Sequence, residues 1–496
     1  MSVRVRYAPS PTGLQHIGGV RTALFNYFYA KSMGGSFILR VEDTDQERYS
    51  DESLQDLYDT FEWLGIQWDE GPDVGGDYGP YIQSERFELY QKYAAQLVEA
   101  GKAYPCYCTA ERLDEMRAEQ AKDKKGHQGY DRHCRDLSPD ERTALDAKGL
   151  KSVIRFKIPL EGTTIFHDEV LGDVKRKNRD ISPDPILLKS DGFPTYHLAN
   201  IVDDHLMEIT HIMRAQEWLP SGSLHVLLYQ AFGWEPPKYC HLPMVMGKDG
   251  QKLSKRHGST SLLDFRKEGY LPEALINYVS MIGWSYDDSR EFFTKEELEK
   301  LFTLDKLNKA PGVFDYKKLI WFDGQYIRQK DDAELKALLI PYLIADGIVS
   351  DIPTAEELAI FDGAYPIIKE RMKVLSEVSG LVRFLFKDIE SYQPELAVPK
   401  KLDPLTAYKC LQVAREILTG FEGRSDEDNE EAFRKGAEDM QVNMGAVLQP
   451  VRVALTGTTV SPPLFESIRL LGVEKTLKRV DRLLEAIFTT YGPESE

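Results

Sequence analysis

Two short segments of this chain carry residues that could handle phosphate. The first runs Ala8-Pro-Ser-Pro-Thr-Gly-Leu-Gln-His16-Ile17-Gly18-Gly19. Glycines let a ligand approach the backbone, a helix start offers N–H donors to an anion, and a histidine there can donate to phosphate oxygens. The second runs Gly247-Lys-Asp-Gly-Gln-Lys252-Leu253-Ser254-Lys255-Arg256-His257-Gly258. Its glycines allow movement, and Lys252, Lys255 and Arg256 need an anion. Taken singly, the first segment reads equally well as a Gly/Pro-rich turn and the second more readily as a solvated basic loop. A third group is Cys106, Cys108 and Cys134. Two thiolates one residue apart and a later third suit a tetrahedral structural zinc; three reduced cysteines without metal are the alternative.

The elements that must position these residues follow from patterning. Val3, Val5 and Tyr7 alternate with Arg4 and Arg6 and predict a strand, broken by Pro9-Ser10-Pro11-Thr12-Gly13. Val20, Leu24, Tyr27 and Phe28 predict a helix. Phe37 to Val41 predicts a second strand, ending at the acidic Glu42-Asp43-Thr44-Asp45, and Leu54, Leu57, Tyr58, Phe61 and Leu64 a second helix. Strand, helix, strand, helix opens a parallel α/β sheet. Residues 85–192 break this order. They hold the three cysteines, a charged stretch from Glu111 to Lys125, and the β-like run Val153 to Ile158, and they read as an insertion. The α/β pattern resumes with a strand at Ile209 to Met213 and a helix at Leu224 to Phe232. After Pro311-Gly312 the chain reads helical. Ser461 is expected to cap a helix with Pro462 and Pro463 in its first turn, and Gly472 to stop it.

With 496 residues the chain has room for about three domains. Its 42% hydrophobic and 29% charged residues exclude wholesale disorder. A net charge of −18 excludes a basic DNA-coating protein. It does not exclude a nucleic-acid enzyme with local cations, such as Lys175-Arg176-Lys177 with Arg179, Lys122 to Lys125, and Lys252 to His257. The N-terminus lacks an apolar core for a secretory signal, no early stretch is long enough for a bilayer, and the five cysteines are few and odd in number. A cytoplasmic location is expected.

Together the two phosphate segments resemble the signature pair of class I aminoacyl-tRNA synthetases. Further ordered segments are similar to the glutamyl branch of bacteria: Arg6-Tyr-Ala-Pro-Ser-Pro-Thr-Gly13, Glu42-Asp-Thr-Asp45, Pro194-Thr-Tyr-His-Leu-Ala-Asn200, Asp203-Asp204-His205, Arg214-Ala-Gln-Glu-Trp218, His225-Val-Leu-Leu-Tyr229 and Asn308-Lys-Ala-Pro311. The resemblance implies an α/β, Rossmann-type catalytic domain with an insertion, followed by an α-helical anticodon-binding domain. The implied division is a catalytic first half over 1–84, an acceptor-binding insertion over 85–192, a catalytic second half over 193–243, a stem-contact region with the Lys252 loop over 244–325, and the helical domain over 326–496.

The same resemblance implies the reaction. ATP would activate L-glutamate to glutamyl-adenylate in a tRNA-dependent step, and glutamate would pass to the terminal adenosine of tRNA(Glu). His16, Lys252 and Lys255 would stabilise charge moving toward pyrophosphate, and ATP with Mg²⁺ would be held by His16, Gly18, Glu217, Lys252, Ser254 and Lys255. Arg6 and Arg214 would take carboxylates through the planar guanidinium fork, Ser10 and Glu42 the ammonium, and Tyr196 would cap the substrate side chain. Some relatives hold zinc in this insertion with Cys-x-Cys and a later Cys-x-His; Asp136 stands where that histidine would be. A shorter relative uses a tyrosine four positions before the last cysteine, as Tyr130 stands here. The expected metal ligands are thus Cys106, Cys108 and Cys134, with Tyr130 or Asp136 as fourth.

Two departures stand out: Gly19 replaces the second histidine of the first motif, and Leu253 and Arg256 replace Met and the final Ser of the second. Arg40 and Glu47, which have no motif role, are expected in surface ion pairs. A monomer without DNA or membrane partners is expected. A glutaminyl enzyme is disfavoured because residues after 330 read helical rather than barrel-like, and the shorter tRNA-modifying relative because it lacks an anticodon domain. A small-molecule nucleotidyltransferase does not need the helical C-terminal half, and a non-catalytic tRNA-binding paralogue would not need His16, Lys252 and Lys255.

Overall fold

Strands β1 (Arg4–Tyr7) and β2 (Ser36–Leu39) pair in parallel, with Arg4 opposite Ser36 and Tyr7 opposite Leu39. A parallel pair needs a crossover, and α1 (Ile17–Ser32) supplies it. Both strands and most of α1 are buried, so this helix lies within the core rather than on its surface. Next comes α2 (Asp51–Leu64), capped by the Ser50 hydroxyl and stopped by Gly65 at φ +62°. The protein is described here from a computed structural model covering residues 2–45, 47–122 and 128–492. Lys124 and Lys125 of the expected basic cluster lie outside the described residues, as does the side chain of Lys255.

The expected insertion contains α3 (Phe87–Glu99), β3 (Ala103–Cys106), α4 (Ala110–Lys122), α5 (Pro139–Ala147), β4 (Val153–Phe156), β5 (Thr163–Asp168), β6 (Gly172–Lys177) and β7 (Ile186–Leu188). Only part of it stands apart. β3, β4 and β7 form an antiparallel three-stranded sheet, but the β5–β6 hairpin joins the sheet of the catalytic half. That half continues with α6 (Tyr196–Leu206), β8 (His211–Ala215), α7 (Leu219–Phe232) and β9 (Lys238–Leu242). The strand order is β6-β5-β9-β8, with β8 parallel to β9 and β5 meeting β9 at Asp168 opposite Tyr239. Thr210, just before β8, bonds both the N–H and the C=O of Arg4, so β1 lies beside β8. β10 (Val245–Met246), α8 (Leu262–Glu268), α9 (Pro272–Ser280), α10 (Lys295–Leu301) and β11 (Gly312–Val313) follow, with β10 and β11 parallel.

Contacts divide the chain into two compact units, Met1–Arg266 with Pro272–Tyr316, and Lys267–Leu271 with Lys317–Glu496. The second unit is helical: α11 (Tyr316–Gln329), α12 (Asp332–Ala345), α13 (Ala355–Lys369), α14 (Val378–Phe386), α15 (Pro404–Leu418), α16 (Asp426–Asp439), α17 (Met444–Thr456), α18 (Leu464–Leu471) and α19 (Val473–Tyr491). Residue 326, where the sequence placed the start of the helical domain, falls inside α11, whose continuous apolar repeat leaves no mark of the border. The core of the last helices is built by Leu411, Phe433, Val451, Ile468, Val480 and Leu483.

Ser461 is not the helix cap expected from the sequence. α18 starts at Leu464, with Pro463 in the cap position and no side-chain bond there. The Ser461 hydroxyl instead accepts from Arg452 Nε at 3.0 Å and donates to the Pro462 carbonyl at 2.8 Å. A neighbouring guanidinium has recruited the capping group. Gly472 does end α18, at φ +87°, and α19 begins at once.

Candidate active site

A cavity of about 650 Å³ opens at the carboxyl ends of β1, β2 and β8, where ligands of parallel α/β sheets bind. Arg6, His16, Glu42, Tyr196, Arg214 and Lys252 line it, so residues from four separated segments converge. Gly18, Glu217 and Ser254 line it too. Ser10 does not. It lines an adjoining cavity that shares Ala8, Glu42, Tyr196 and Trp218 with the first.

His16 occupies the cap position of α1. Its Nδ1 accepts from the N–H groups of Gly18 and Gly19 at 3.1 and 3.2 Å. The two backbone donors that the sequence offered to a phosphate are therefore taken by the ring. In exchange the neutral ring carries its proton on Nε2 and presents a fixed donor. Desolvation at the cavity wall, and then the charge of Lys252, hold the His16 pKa below its ordinary value. Gly18 leaves room for the ring, since a Cβ there would stand 3.2 Å from His16 Cε1. Gly19 leaves room for Tyr7, whose hydroxyl would lie 2.9 Å from an added Cβ and donates to Gln15 Oε1 at 2.8 Å.

Behind the cavity lies a buried ionic cluster. Asp204 Oδ1 accepts from Arg6 Nε at 2.9 Å and from Arg40 Nη1 at 2.7 Å. Arg40 also donates to Glu42 Oε1 at 2.9 Å. Arg40 and Asp204 have no exposed surface, so the sequence-based placement of Arg40 in a surface ion pair is wrong. A buried cation in a strand pattern reads like any polar position of that strand; only the fold reveals the carboxylates around it. Burial pushes the Asp204 carboxyl up, but Arg6 and Arg40 together hold it below the usual range. Burial dominates at Glu42 and raises it despite Arg40.

Arg214, near the end of β8, is held differently. Its Nε donates to His241 Nε2 at 3.0 Å, and its Nη1 lies 3.2 Å from the Tyr196 hydroxyl and 3.3 Å from His225 Nδ1. Its bonded acceptors include no carboxylate. Tyr196 packs on Trp218 with ring centroids 4.5 Å apart. His225, His241 and Asp204 had no assigned role in the sequence. Asp204 and His225 lay in segments quoted for the family resemblance, and the signal at His241 was a polar residue inside an otherwise apolar strand.

In the basic loop, Lys252 and Arg256 already have partners. Lys252 Nζ lies 2.7 Å from Glu217 Oε2, and Arg256 Nη2 lies 3.3 Å from Asp249 Oδ2. Ser254 N–H donates to His257 Nδ1 at 3.1 Å, and the Ser254 hydroxyl touches the same nitrogen at 3.1 Å. Lys255 begins a short helical turn to His257.

This arrangement brings Arg214, His16 and Lys252 into one cavity. The family model for the catalytic domain of class I tRNA synthetases (E and Q) matches residues 2–321, and a model for an anticodon binding domain matches residues 334–484. The glutamate–tRNA ligase of Treponema denticola is 55% identical over 507 residues, covering 98% of this chain and 100% of that protein. That of Borreliella burgdorferi is 55% identical over 480 residues, covering 97% and 98%. This chain belongs to the glutamate–tRNA ligases. The crystal structure of a glutamate tRNA ligase from Elizabethkingia meningosepticum in complex with its amino acid is similar, with a TM-score of 0.82 at 36% identity, covering 98% of this chain and 100% of that one. The fold class read from the sequence, a class I catalytic domain followed by a helical anticodon-binding domain, is that of this ligase family.

One further cluster lies outside the cavity of this glutamate–tRNA ligase. The sulfurs of Cys106, Cys108 and Cys134 lie within 4.8 Å of one another. Cys108 and Cys134 are 3.6 Å apart, and the Tyr130 hydroxyl stands 3.2 Å from Cys106 Sγ and 3.6 Å from Cys108 Sγ. Thiolates on one zinc would be about 3.8 Å apart at the usual Zn–S length, so this spacing fits. The proximity of Cys106 and Cys134 lowers the first thiol and raises the second. Asp136 is not brought to the cluster: its carboxylate is 86% exposed and lies 3.7 Å from Lys157 Nζ.

Proposed function

We propose that the cavity at the strand ends is where this glutamate–tRNA ligase joins L-glutamate to ATP and then to the terminal adenosine of tRNA(Glu). The observation that carries the reading is the convergence of Arg6, His16, Arg214 and Lys252 on one cavity. Arg214 keeps its charge available for a carboxylate, and His16 Nε2 and Lys252 offer donors to a triphosphate. The glutamate α-carboxylate attacks the α-phosphorus of ATP, the bond to the β-phosphate breaks, and pyrophosphate leaves with its charge. His16, Lys252 and Lys255 receive that charge, a positioned electrostatic contribution rather than covalent catalysis. The 2′-hydroxyl of tRNA then attacks the mixed anhydride and AMP leaves. Arg6 and Arg214 hold carboxylates, Glu42 and Ser10 the ammonium, and Tyr196 caps the side chain. Gly18, Ser254 and Glu217 border the ATP.

Among the described residues, the cysteine cluster is the one group of three or more ligating side chains close enough together to hold a metal ion. Mg²⁺ would enter with ATP as its counter-ion. Cys106, Cys108, Cys134 and Tyr130 would hold a structural zinc that ties the insertion together. Lys175 and Lys177 are exposed on β6 and fit tRNA phosphates, whereas Arg176 is committed to the carbonyls of Asp180 and Pro220. A cytoplasmic monomer without DNA or membrane partners is the setting we propose; among the described residues no helix is long and apolar enough to cross a membrane.

The test is charging of purified tRNA isoacceptors with labelled glutamate and labelled glutamine. Glutamate on tRNA(Glu), dependent on ATP, is expected. Transfer of glutamine, or charging without ATP, would overturn the reading.

A further inference from the structure

The polar groups behind Arg214 form a chain that none of these roles uses. His241 Nε2 accepts from Arg214 Nε, and Asp168 Oδ2 lies 2.6 Å from His241 Nδ1. Both His241 and Asp168 are fully buried. A guanidinium N–H only donates, so His241 Nε2 must be the bare nitrogen, and Nδ1 carries the proton toward Asp168. Asp168 is itself fixed. Its Oδ1 accepts from the N–H groups of Val170 at 3.0 Å and Leu171 at 2.9 Å, and its Oδ2 also accepts from the His241 N–H at 3.1 Å. On the other side of Arg214, His225 Nδ1 accepts from Nη1, so its proton sits on Nε2, 3.0 Å from His197 Nδ1.

These contacts place four of the five guanidinium hydrogens: one on His241, two on Tyr196 and His225, and one on the Trp218 carbonyl at 3.4 Å. The Trp218 contact is the longest, so the Nη2 edge is the one a substrate carboxylate can take. The directly bonded acceptors are neutral, and the carboxylate of Asp168 stands one imidazole away.

We propose that Asp168 and His241 are positioning residues for Arg214: a single imidazole tautomer, set by Asp168, aims the guanidinium edge at the substrate's side-chain carboxylate and so sets the preference for glutamate over its amide, glutamine. This rests on Arg214 being a glutamate ligand. Asp168→Asn is close to isosteric yet inverts the logic. The asparagine oxygen goes to the paired N–H groups of Val170 and Leu171, which turns its amide N–H toward His241 Nδ1. The ring proton then moves to Nε2 and faces the Arg214 N–H, donor against donor. A histidine held in the wrong tautomer by Asp→Asn is the known outcome in serine proteases.

The experiment measures steady-state charging of tRNA(Glu) by the full chain, with KM for glutamate and ATP determined separately. Asp168→Asn is expected to raise the glutamate KM roughly 10- to 100-fold, the range for a lost hydrogen bond to a charged group, with the ATP KM unchanged. His241→Gln supplies an amide oxygen that needs no tautomer. It should stay near wild type and make Asp168→Asn nearly harmless in the double variant, whereas His241→Phe should raise the glutamate KM. Unchanged glutamate KM in Asp168→Asn, additive losses in the double variant, or equal losses for His241→Gln and His241→Phe would overturn the proposal. The two His241 variants decide it if Asp168→Asn fails to fold. Arg214→Ala tests the underlying reading separately: a normal glutamate KM there would show that Arg214 is not a glutamate ligand, whatever Asp168 and His241 do.

Discussion

Lys252 Nζ and Glu217 Oε2 stand 2.7 Å apart across 35 residues of sequence, so the basic loop is docked on the turn that follows β8. Both side chains are about half exposed (61% and 49%). Such pairs contribute only about 0–1 kcal/mol, so Lys252 can exchange the carboxylate for a phosphate at little cost.

Lys252→Ala and Lys255→Ala are each expected to slow the chemical step by about 10²- to 10³-fold, the loss typical of one donor aimed at developing charge. The glutamate KM should change little. Single-turnover charging with rapid quench separates the two quantities, and an unchanged single-turnover rate would remove the loop from the phosphate role.

Putting a histidine at Gly19, to restore the motif of other class I enzymes, should harm this one. The new Cβ would sit 2.9 Å from the buried Tyr7 hydroxyl, which is also tied to Gln15. Gly19→His and Gly19→Ala should both lower Tm and charging, with His the worse. A Tm equal to wild type for Gly19→Ala would show that the tyrosine yields freely.

Arg40→Met should destabilise the fold by about 3–5 kcal/mol, because it leaves Asp204 and Glu42 buried without a shared cation. Arg48→Met breaks an exposed pair with Asp45 and should shift stability by less than about 0.5 kcal/mol. Urea denaturation compares them; equal effects would contradict the burial argument.

Stability should fall as pH drops through the histidine range. Burial, and then Arg214, lower the His197 pKa to about 4, and burial also lowers His225 and His241. Unfolded histidine titrates near about 6.5. Between those values the unfolded chain takes up a proton that the folded chain refuses, so unfolding is favoured on acidification. The Asp204 contribution has the other origin: its folded pKa is depressed, so its stabilisation is present above the unfolded value of about 3.9 and is lost below it. His197→Gln should flatten the slope of urea midpoint against pH above about 4. An unaltered slope would show that His197 titrates normally.

Purified without a metal-binding tag, the protein should carry one zinc per chain. Cys106→Ser or Cys134→Ser should abolish it, Tyr130→Phe should weaken retention against a chelator, and Asp136→Asn should change nothing. Elemental analysis measures all four. Zinc far below one equivalent in the unaltered protein would show ordinary reduced cysteines.

Local order explains what could be read in advance. The β1–α1–β2–α2 opening was legible because each element's apolar period is unbroken and the crossover joins neighbours. The residues His16, Glu42, Tyr196, Arg214 and Lys252 were legible through the resemblance of the segments that hold them to the synthetase family, and the fold brings them to one cavity. What depends on non-local pairing was not legible. The joining of the β5–β6 hairpin to β9 rests on one bridge, Asp168 to Tyr239, between strands far apart in sequence. The burial of Arg40 depends on carboxylates delivered by α6. Ser461 followed a local rule that an arginine nine residues earlier, on the preceding helix, overrode.

Asp204 ties β1 and β2 to α6 through Arg6 and Arg40, and this has a consequence for anyone redesigning amino-acid selectivity. Arg6 is at once a wall of the cavity and a strut of the sheet, so exchanging it to admit a new side chain would loosen the scaffold that any new pocket must stand on. Arg214 hangs on neutral imidazoles and a phenol instead. Replacing it leaves no stranded carboxylate in direct contact, so retargeting has its tolerant entry point on the β8 side and its forbidden one on β1.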